Sequence, residues 1–290
     1  MPPQLIDLLW VLMVFTLGLS IGSFLNVVIE RVPRGLTLGG RSHCPACFHE
    51  LGVSDLVPLL SFAALRSSCR YCQGSISWQY PAVEFITGLL FVLVFYAFPL
   101  PYSLIYLIFF SVLLTLFVID LKWGVVPTAI VYPAIVLALV VRIGLPFLES
   151  LFVYQRLVSD SSGFGRYLLR AGFLTTHLWF QLQLVLMTVG GALLMALFFY
   201  FLVRLTKRRG MGSGDVFYIF LAALVTGFPN MWAMLFLTFF SGALVYLLLI
   251  LLRKKRFGQT VPLGPFISLS SFIGVFWGRF LVDFYLNLLK

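Results

Sequence analysis

Residues 103–120 read SLIYLIFFSVLLTLFVID, a run of uncharged positions closed by one carboxylate, Asp120. Eighteen helical residues rise about 27 Å, close to the roughly 30 Å of hydrocarbon in a bilayer. Lipid offers no partner to backbone N–H and C=O groups, so such a run must be helical. Working outward, comparable runs lie at about 6–29, 82–98, 126–145, 180–203, 216–229, 231–252 and 265–288. The expected fold is therefore all-α, a polytopic integral membrane helix bundle of about eight transmembrane helices. The sixth run is short, and Gly227, Pro229 and Asn230 turn it tightly into the seventh, so a tilted or re-entrant segment is also open there.

Composition agrees. Of 290 residues 61% are hydrophobic and only 10% charged, with mean hydropathy +1.04. Soluble domains carry roughly a quarter charged residues, which excludes a soluble enzyme, a disordered tail and a nucleic-acid-binding domain. The net charge of +10 needs another explanation. No Lys or Arg precedes the first span, and Arg31 and Arg34 follow it, the reverse of a signal peptide; this predicts an outside N-terminus. Eight spans then place the segments near 30–81, 121–125, 204–215 and 253–264 in the cytoplasm. They hold 14 of the 20 basic residues, so the charge is a topology signal. Three parts are expected: a first span at 1–29, a polar cytoplasmic loop at 30–81 and a seven-span bundle at 82–290. The external segment 146–179 reads as a mobile linker around Ser159, Ser161 and Ser162, then an interfacial helix near 166–179 carrying a lone His177.

All four cysteines lie in the cytoplasmic loop, as Cys44-Pro-Ala-Cys47 and Cys69-Arg-Tyr-Cys72. Two such knuckles supply four thiolates for a tetrahedral zinc site, and closed Cys₄ coordination makes the metal structural. Disulfides are disfavoured in a reducing compartment, and neither knuckle opens a helix of a βαβ unit, as a redox pair would. His43 and His49 flank the first knuckle as competing ligands.

Among ten acidic residues, Glu84, Asp120 and Asp215 sit at membrane ends. A carboxylate near hydrocarbon costs energy and is a functional candidate by default. Asp120 ends the third span and Asp215 opens the sixth in Gly212-Ser213-Gly214-Asp215, both at the predicted cytoplasmic boundary. Two carboxylates sharing a site hold one proton between them, so one can activate water while the other protonates a carbonyl. Gly210, Gly212 and Gly214 would let backbone approach an extended peptide. A solvated interfacial carboxylate is the plainer alternative for each Asp.

With these residues in view, the sequence resembles the prepilin peptidases, the type IV prepilin leader peptidases of the GxGD class of intramembrane aspartic proteases. The likeness begins with Gly22-Ser23-Phe24-Leu25-Asn26-Val27-Val28 and Arg31-Val32-Pro33, and continues through both knuckles and Val57-Pro58-Leu59-Leu60-Ser61-Phe62. It goes on through Tyr80-Pro81-Ala82-Val83-Glu84, Ile119-Asp120, Met211-Gly212-Ser213-Gly214-Asp215-Val216 and Pro262-Leu263-Gly264-Pro265-Phe266. The resemblance implies that Asp120 and Asp215 are the catalytic pair, with Gly212 and Gly214 in the supporting loop, and that the four cysteines hold Zn²⁺. It implies cleavage of prepilin or pseudopilin leaders after Gly at the cytoplasmic face of the bacterial inner membrane. It further implies N-methylation of the new N-terminus using S-adenosylmethionine, with Asn26, Arg31 and Glu84 as polar groups for that transfer or as anchors of the loop. The expected partners are these substrates and the lipid bilayer, with no nucleic acid.

Two positions depart from the family: Phe217 stands where Lys is usual, and Thr128 where Asp is frequent. Losing a positive charge near the carboxylates predicts a shifted pH optimum or substrate preference. An ion-coupled secondary transporter would also carry intramembrane carboxylates, but near the midplane and on paired half-repeats. An inactive pilin-binding relative is the third reading.

Overall fold

The computed structural model describes residues 3–160, 163–206, 212–254 and 261–288. The chain forms ten α-helices among these residues: α1 (Pro3–Arg31), α2 (Leu60–Ala64), α3 (Gln79–Ala97), α4 (Tyr102–Trp123), α5 (Thr128–Ser159), α6 (Phe164–Arg170), α7 (Phe173–Leu205), α8 (Ser213–Thr226), α9 (Asn230–Leu251) and α10 (Gly264–Leu288). Beyond two isolated bridges there is no β-structure among the described residues. Seven of the helices, all but α2, α6 and α8, are long and apolar enough to cross a membrane, so the chain is a multi-pass membrane protein. It divides into two compact units, residues 1–127 and 128–290.

In the first unit α1 packs along α3, and α4 packs on both. Helices in lipid gain no hydrophobic drive toward one another and rely on close backbone approach. Gly18 and Gly22 supply it: a Cβ on Gly18 would lie 2.8 Å from the Gly88 Cα, and one on Gly22 would lie 2.7 Å from the Glu84 Cα. Glu30 on the last turn of α1 pairs with Lys122 on the last turn of α4 and with Arg34 at 3.3 Å. Both cations lie over the Trp123 ring, which stitches the two helix ends together.

In the second unit α8 is the central element, touched by α5, α7, α9 and α10. The sixth expected run, read as short with a tilted or re-entrant segment left open, is this helix. Its 14 residues rise only about 21 Å, short of the bilayer core. Ile219, Leu221, Ala222, Ala223 and Leu224 are fully buried, so a helix apolar on all sides is here a protein-enclosed one. Its C-terminal carbonyls would be orphaned in this surrounding. Arg142 of α5 meets them, donating from Nε to the Leu224 carbonyl at 2.6 Å and from Nη to the Val225 carbonyl at 2.5 Å.

The expected external linker is also corrected. Helix α5 continues through Pro133 and Pro146 to Ser159, and the expected interfacial helix is split at Gly172 (φ 79°) into α6 and the first turns of α7. Proline is tolerated in membrane helices where neighbours and hydroxyls meet the freed backbone groups. Ser161 and Ser162 lie outside the described residues. His177 stacks on Phe173 at 6.0 Å, and its Nε2 is buried without a partner.

Candidate functional site

Asp215 is the third residue of α8 and is 9% exposed. Gly212 precedes the helix in extended conformation, and its N–H donates to Asp215 Oδ2 at 3.0 Å. The glycine thus frees its N–H to fix the carboxylate at a helix start, where backbone donors favour an anion. Gly214 follows within the first turn, while Gly210 and Met211 lie outside the described residues. Asp120 is 4% exposed in the last turn of α4. Gly124, in left-handed conformation (φ 63°), closes that helix by donating its N–H to the Asp120 carbonyl at 2.9 Å. The Glu30–Lys122 pair fixes the same turn against α1. Asp120 belongs to the first unit and Asp215 to the second, and each is placed within its own.

Successive residues of an α-helix turn by about 100°, so Phe217 and Phe220 point to the face of α8 away from Asp215. There they line an apolar cleft of 370 Å³ with Val216, Tyr132, Val136 and Leu193. Phe217 makes an edge-to-face contact with Tyr132, centroids 5.2 Å apart. A side chain at position 217 therefore meets α5 rather than the Asp215 carboxylate. Thr128, the other departure, is the exposed first residue of α5.

The four cysteine sulfurs lie within 4.8 Å of one another, and Cys44 and Cys72 Sγ are 3.9 Å apart. Four sulfurs about 2.3 Å from a shared zinc stand about 3.8 Å from each other, so the cluster fits a tetrahedral metal. All four are free thiols. The Cys47 N–H, with that of Ala46, holds the Cys44 thiol down to about 7 against the opposing effect of burial. The two knuckles share one backbone design offset by 25 residues (44 to 69). Cys44 N–H donates to the His49 carbonyl and Cys69 N–H to that of Gly74; Phe48 N–H donates to the Cys44 carbonyl and Gln73 N–H to that of Cys69. Phe48 (φ 58°) and Gln73 (φ 57°) occupy the matching left-handed positions. His43 and His49 stand outside the cluster, His49 stacked on Tyr71 at 3.7 Å and His43 3.8 Å from Glu50. Asp55 braces the second knuckle by accepting from Arg70 Nε at 2.7 Å and from the Gly52 N–H at 3.1 Å.

Arg31 and Glu84 join the loop to α1 and α3, and Asn26 joins α1 to the first turn of α3. Asn26 Nδ2 donates to the Tyr80 carbonyl at 3.0 Å, and its buried Oδ1 has no partner. Arg31 donates to the carbonyls of Thr37 and Leu38 at 3.2 Å, of Gly39, and of Arg41 at 2.8 Å. Glu84 accepts the Leu59 N–H at 2.9 Å.

Two family models match the chain in succession. The Bacterial Peptidase A24 N-terminal domain matches residues 16–98, and the Type IV leader peptidase family matches residues 107–249. The chain belongs to the type IV leader peptidase family. The first match contains the four cysteines with Asn26, Arg31 and Glu84, and the second contains Asp120 and Asp215. The prepilin leader peptidase/N-methyltransferase of Aeromonas hydrophila is 29% identical over 303 aligned residues, covering 95% of this chain and 93% of that protein. The protein of the same name from Bacillus subtilis is 27% identical over 278 residues, covering 94% and 97%. That of Myxococcus xanthus is 44% identical over 127 residues, covering 43% of this chain and 38% of that protein. No solved structure matches the chain.

Proposed function

We propose that this chain is a membrane aspartic endopeptidase that removes the leader of type IV prepilins or pseudopilins after Gly and N-methylates the new N-terminal residue. It acts at the cytoplasmic face of the bacterial inner membrane, with its N-terminus outside. The observation that carries the peptidase reading is the burial of Asp120 and Asp215, each at a helix terminus, in a chain with only ten acidic residues. One carboxylate takes a proton from water, whose oxygen attacks the scissile carbonyl carbon, while the protonated partner donates to the carbonyl oxygen. Collapse of the tetrahedral species breaks the C–N bond, and the departing amine takes up a proton.

Cys44, Cys47, Cys69 and Cys72 hold zinc, which fixes the two knuckles and leaves no coordination position for substrate. S-adenosylmethionine is the donor for the methyl step. Arg31 and Glu84 bind loop backbone and Asn26 binds the Tyr80 carbonyl at the start of α3, contacts that support a role for all three in anchoring the loop between α1 and α3.

Family membership and the position of both carboxylates at helix ends favour the peptidase over a secondary transporter, and retention of both favours an active enzyme over a binding-only relative. The test is prepilin processing in membranes by wild type, Asp120→Asn and Asp215→Asn. Each substitution should slow leader removal by at least about 10²-fold, the scale of a lost acid–base group. Processing that survives either one overturns the assignment. The mature N-terminus should gain one methyl group by mass spectrometry, and an unmethylated product would remove the second activity.

A further inference from the structure

The loop between α1 and α3 contains a ten-residue run, Leu56-Val57-Pro58-Leu59-Leu60-Ser61-Phe62-Ala63-Ala64-Leu65, without a charged residue. It is bounded by Asp55 and Arg66. An apolar run of this length is too short to span a bilayer and suits a buried core helix or an interfacial segment. The first option fails here, because none of the ten residues is buried and Leu60 is 70% exposed. The run is also tied to a helix long and apolar enough to cross a membrane. Its Leu59 N–H donates to Glu84, the sixth residue of the membrane-crossing α3, at 2.9 Å. Five residues of helix bring that point about 7.5 Å inward from the start of α3. Phe62 packs on Trp78, centroids 4.9 Å apart, and Trp78 stands 73% exposed immediately before α3. Exposed tryptophan at the end of a spanning helix marks the headgroup level.

We propose that residues 56–65 form an interfacial membrane wedge, seated in the headgroup–acyl boundary at the face where α1 ends and α3 begins. The depth set by Glu84 matches the roughly 5–10 Å to which interfacial helices bury their apolar side. Arg66 follows the run and lies exposed, where an anionic leaflet surface attracts it. Exposed apolar side chains beside lipid carry no hydration cost, which accounts for Val57 and Leu60 facing outward. The wedge holds both cysteine knuckles, which flank it in sequence, against the membrane surface. This deepens the proposed function by placing the metal-binding loop where a substrate's new N-terminus would emerge, and it rests on that reading only for this consequence.

The test replaces Leu60, and separately Val57, with a benzophenone amino acid in the full chain. Both side chains are exposed, Leu60 at 70% and Val57 at 38%. The variants are reconstituted in phosphatidylethanolamine–phosphatidylglycerol vesicles, irradiated and analysed by mass spectrometry, with prepilin processing measured in parallel. Phospholipid adducts as the dominant product at both positions are expected. Adducts only within the chain, only with added prepilin, or none at either position overturn the wedge. Lipid adducts in a wild-type background that processes no prepilin would sink the peptidase reading and leave the wedge standing. Processing without lipid adducts would do the reverse.

Discussion

Replacing Arg142 by Met is the sharpest test of how the second unit holds its short central helix. The side chain donates to the carbonyls of Leu224 and Val225, two residues 0% and 2% exposed, so water cannot take over when it is removed. Interhelical hydrogen bonds in membranes average about 0.6 kcal/mol, which gives a floor of about 1.2 kcal/mol for the two. Hydrogen bonds involving a charged group contribute about 1.5–3 kcal/mol each in soluble proteins, a ceiling of about 6 kcal/mol. The guanidinium also complements the C-terminal end of the α8 dipole, a further ~0.3–1 kcal/mol. The cost of keeping the cation among apolar groups is met in the membrane-inserted unfolded state as well, so most of it cancels. We expect a loss of about 2–3 kcal/mol, between these limits. That is roughly a 30- to 140-fold shift in the unfolding equilibrium, read by denaturing-detergent titration of the purified protein. Arg142→Lys retains the charge but not the fork of donors, and should recover about half. An Arg142→Met protein within about 0.5 kcal/mol of wild type would refute the capping role.

Gly22→Ala should destabilise by about 1–3 kcal/mol, because the new Cβ meets backbone, the Glu84 Cα at 2.7 Å, which cannot swing aside. Gly39→Ala, with open space around it, is the matched control, and equal melting of the two variants would show that the α1–α3 seam is more yielding than its geometry. Purified protein should contain one zinc per chain by elemental analysis, and Cys69→Ser should lose it and raise hydrogen exchange across residues 42–76. Metal-free wild-type protein with an equally protected loop would defeat the zinc staple. Burial pushes the Asp55 carboxyl up, yet Arg70, the Gly52 N–H and Tyr71 outweigh it and leave the group below its ordinary value. A lowered folded-state value stabilises above the unfolded value of about 3.9 and loses that contribution as pH falls through the folded one. The difference in loop protection between wild type and Asp55→Asn should thus be full near neutral pH and vanish in acid; a difference that grows in acid has the wrong sign.

Most of the helices were legible because a membrane helix is written in one variable, the length of an uncharged run. That same variable marks α8 as short but does not say what surrounds it. A run apolar on every face describes a lipid-exposed span and a protein-enclosed helix equally well, and only the neighbours α5, α7, α9 and α10 separate the two. The external segment 146–179 reads as a linker around Ser159, Ser161 and Ser162, whereas α5 carries its apolar phase through Pro146 as far as Ser159. The cysteine cluster was legible from spacing alone. The 25-residue repeat behind it was not, because Phe48 matches Gln73 and His49 matches Gly74: the shared feature is backbone path, not side-chain type.

What the sequence hid most thoroughly is how charge is accommodated away from water. Acidic and basic side chains in such a chain invite a search for one another, yet three of its membrane-end charges are met by backbone. Glu84 takes the Leu59 N–H, Asp215 takes the Gly212 N–H, and Arg142 gives to two carbonyls 82 and 83 residues further along the chain. Backbone partners leave no compositional trace, so no count of acids against bases could have found them. They also explain why α8 can be short. An acidic group at its first turn and a cation at its last match the signs of the helix ends, and the orphaned groups that would oblige a longer helix to reach a polar surface are satisfied inside the protein. A 14-residue helix so held can present Asp215 from a fixed frame, whereas a fraying one could not.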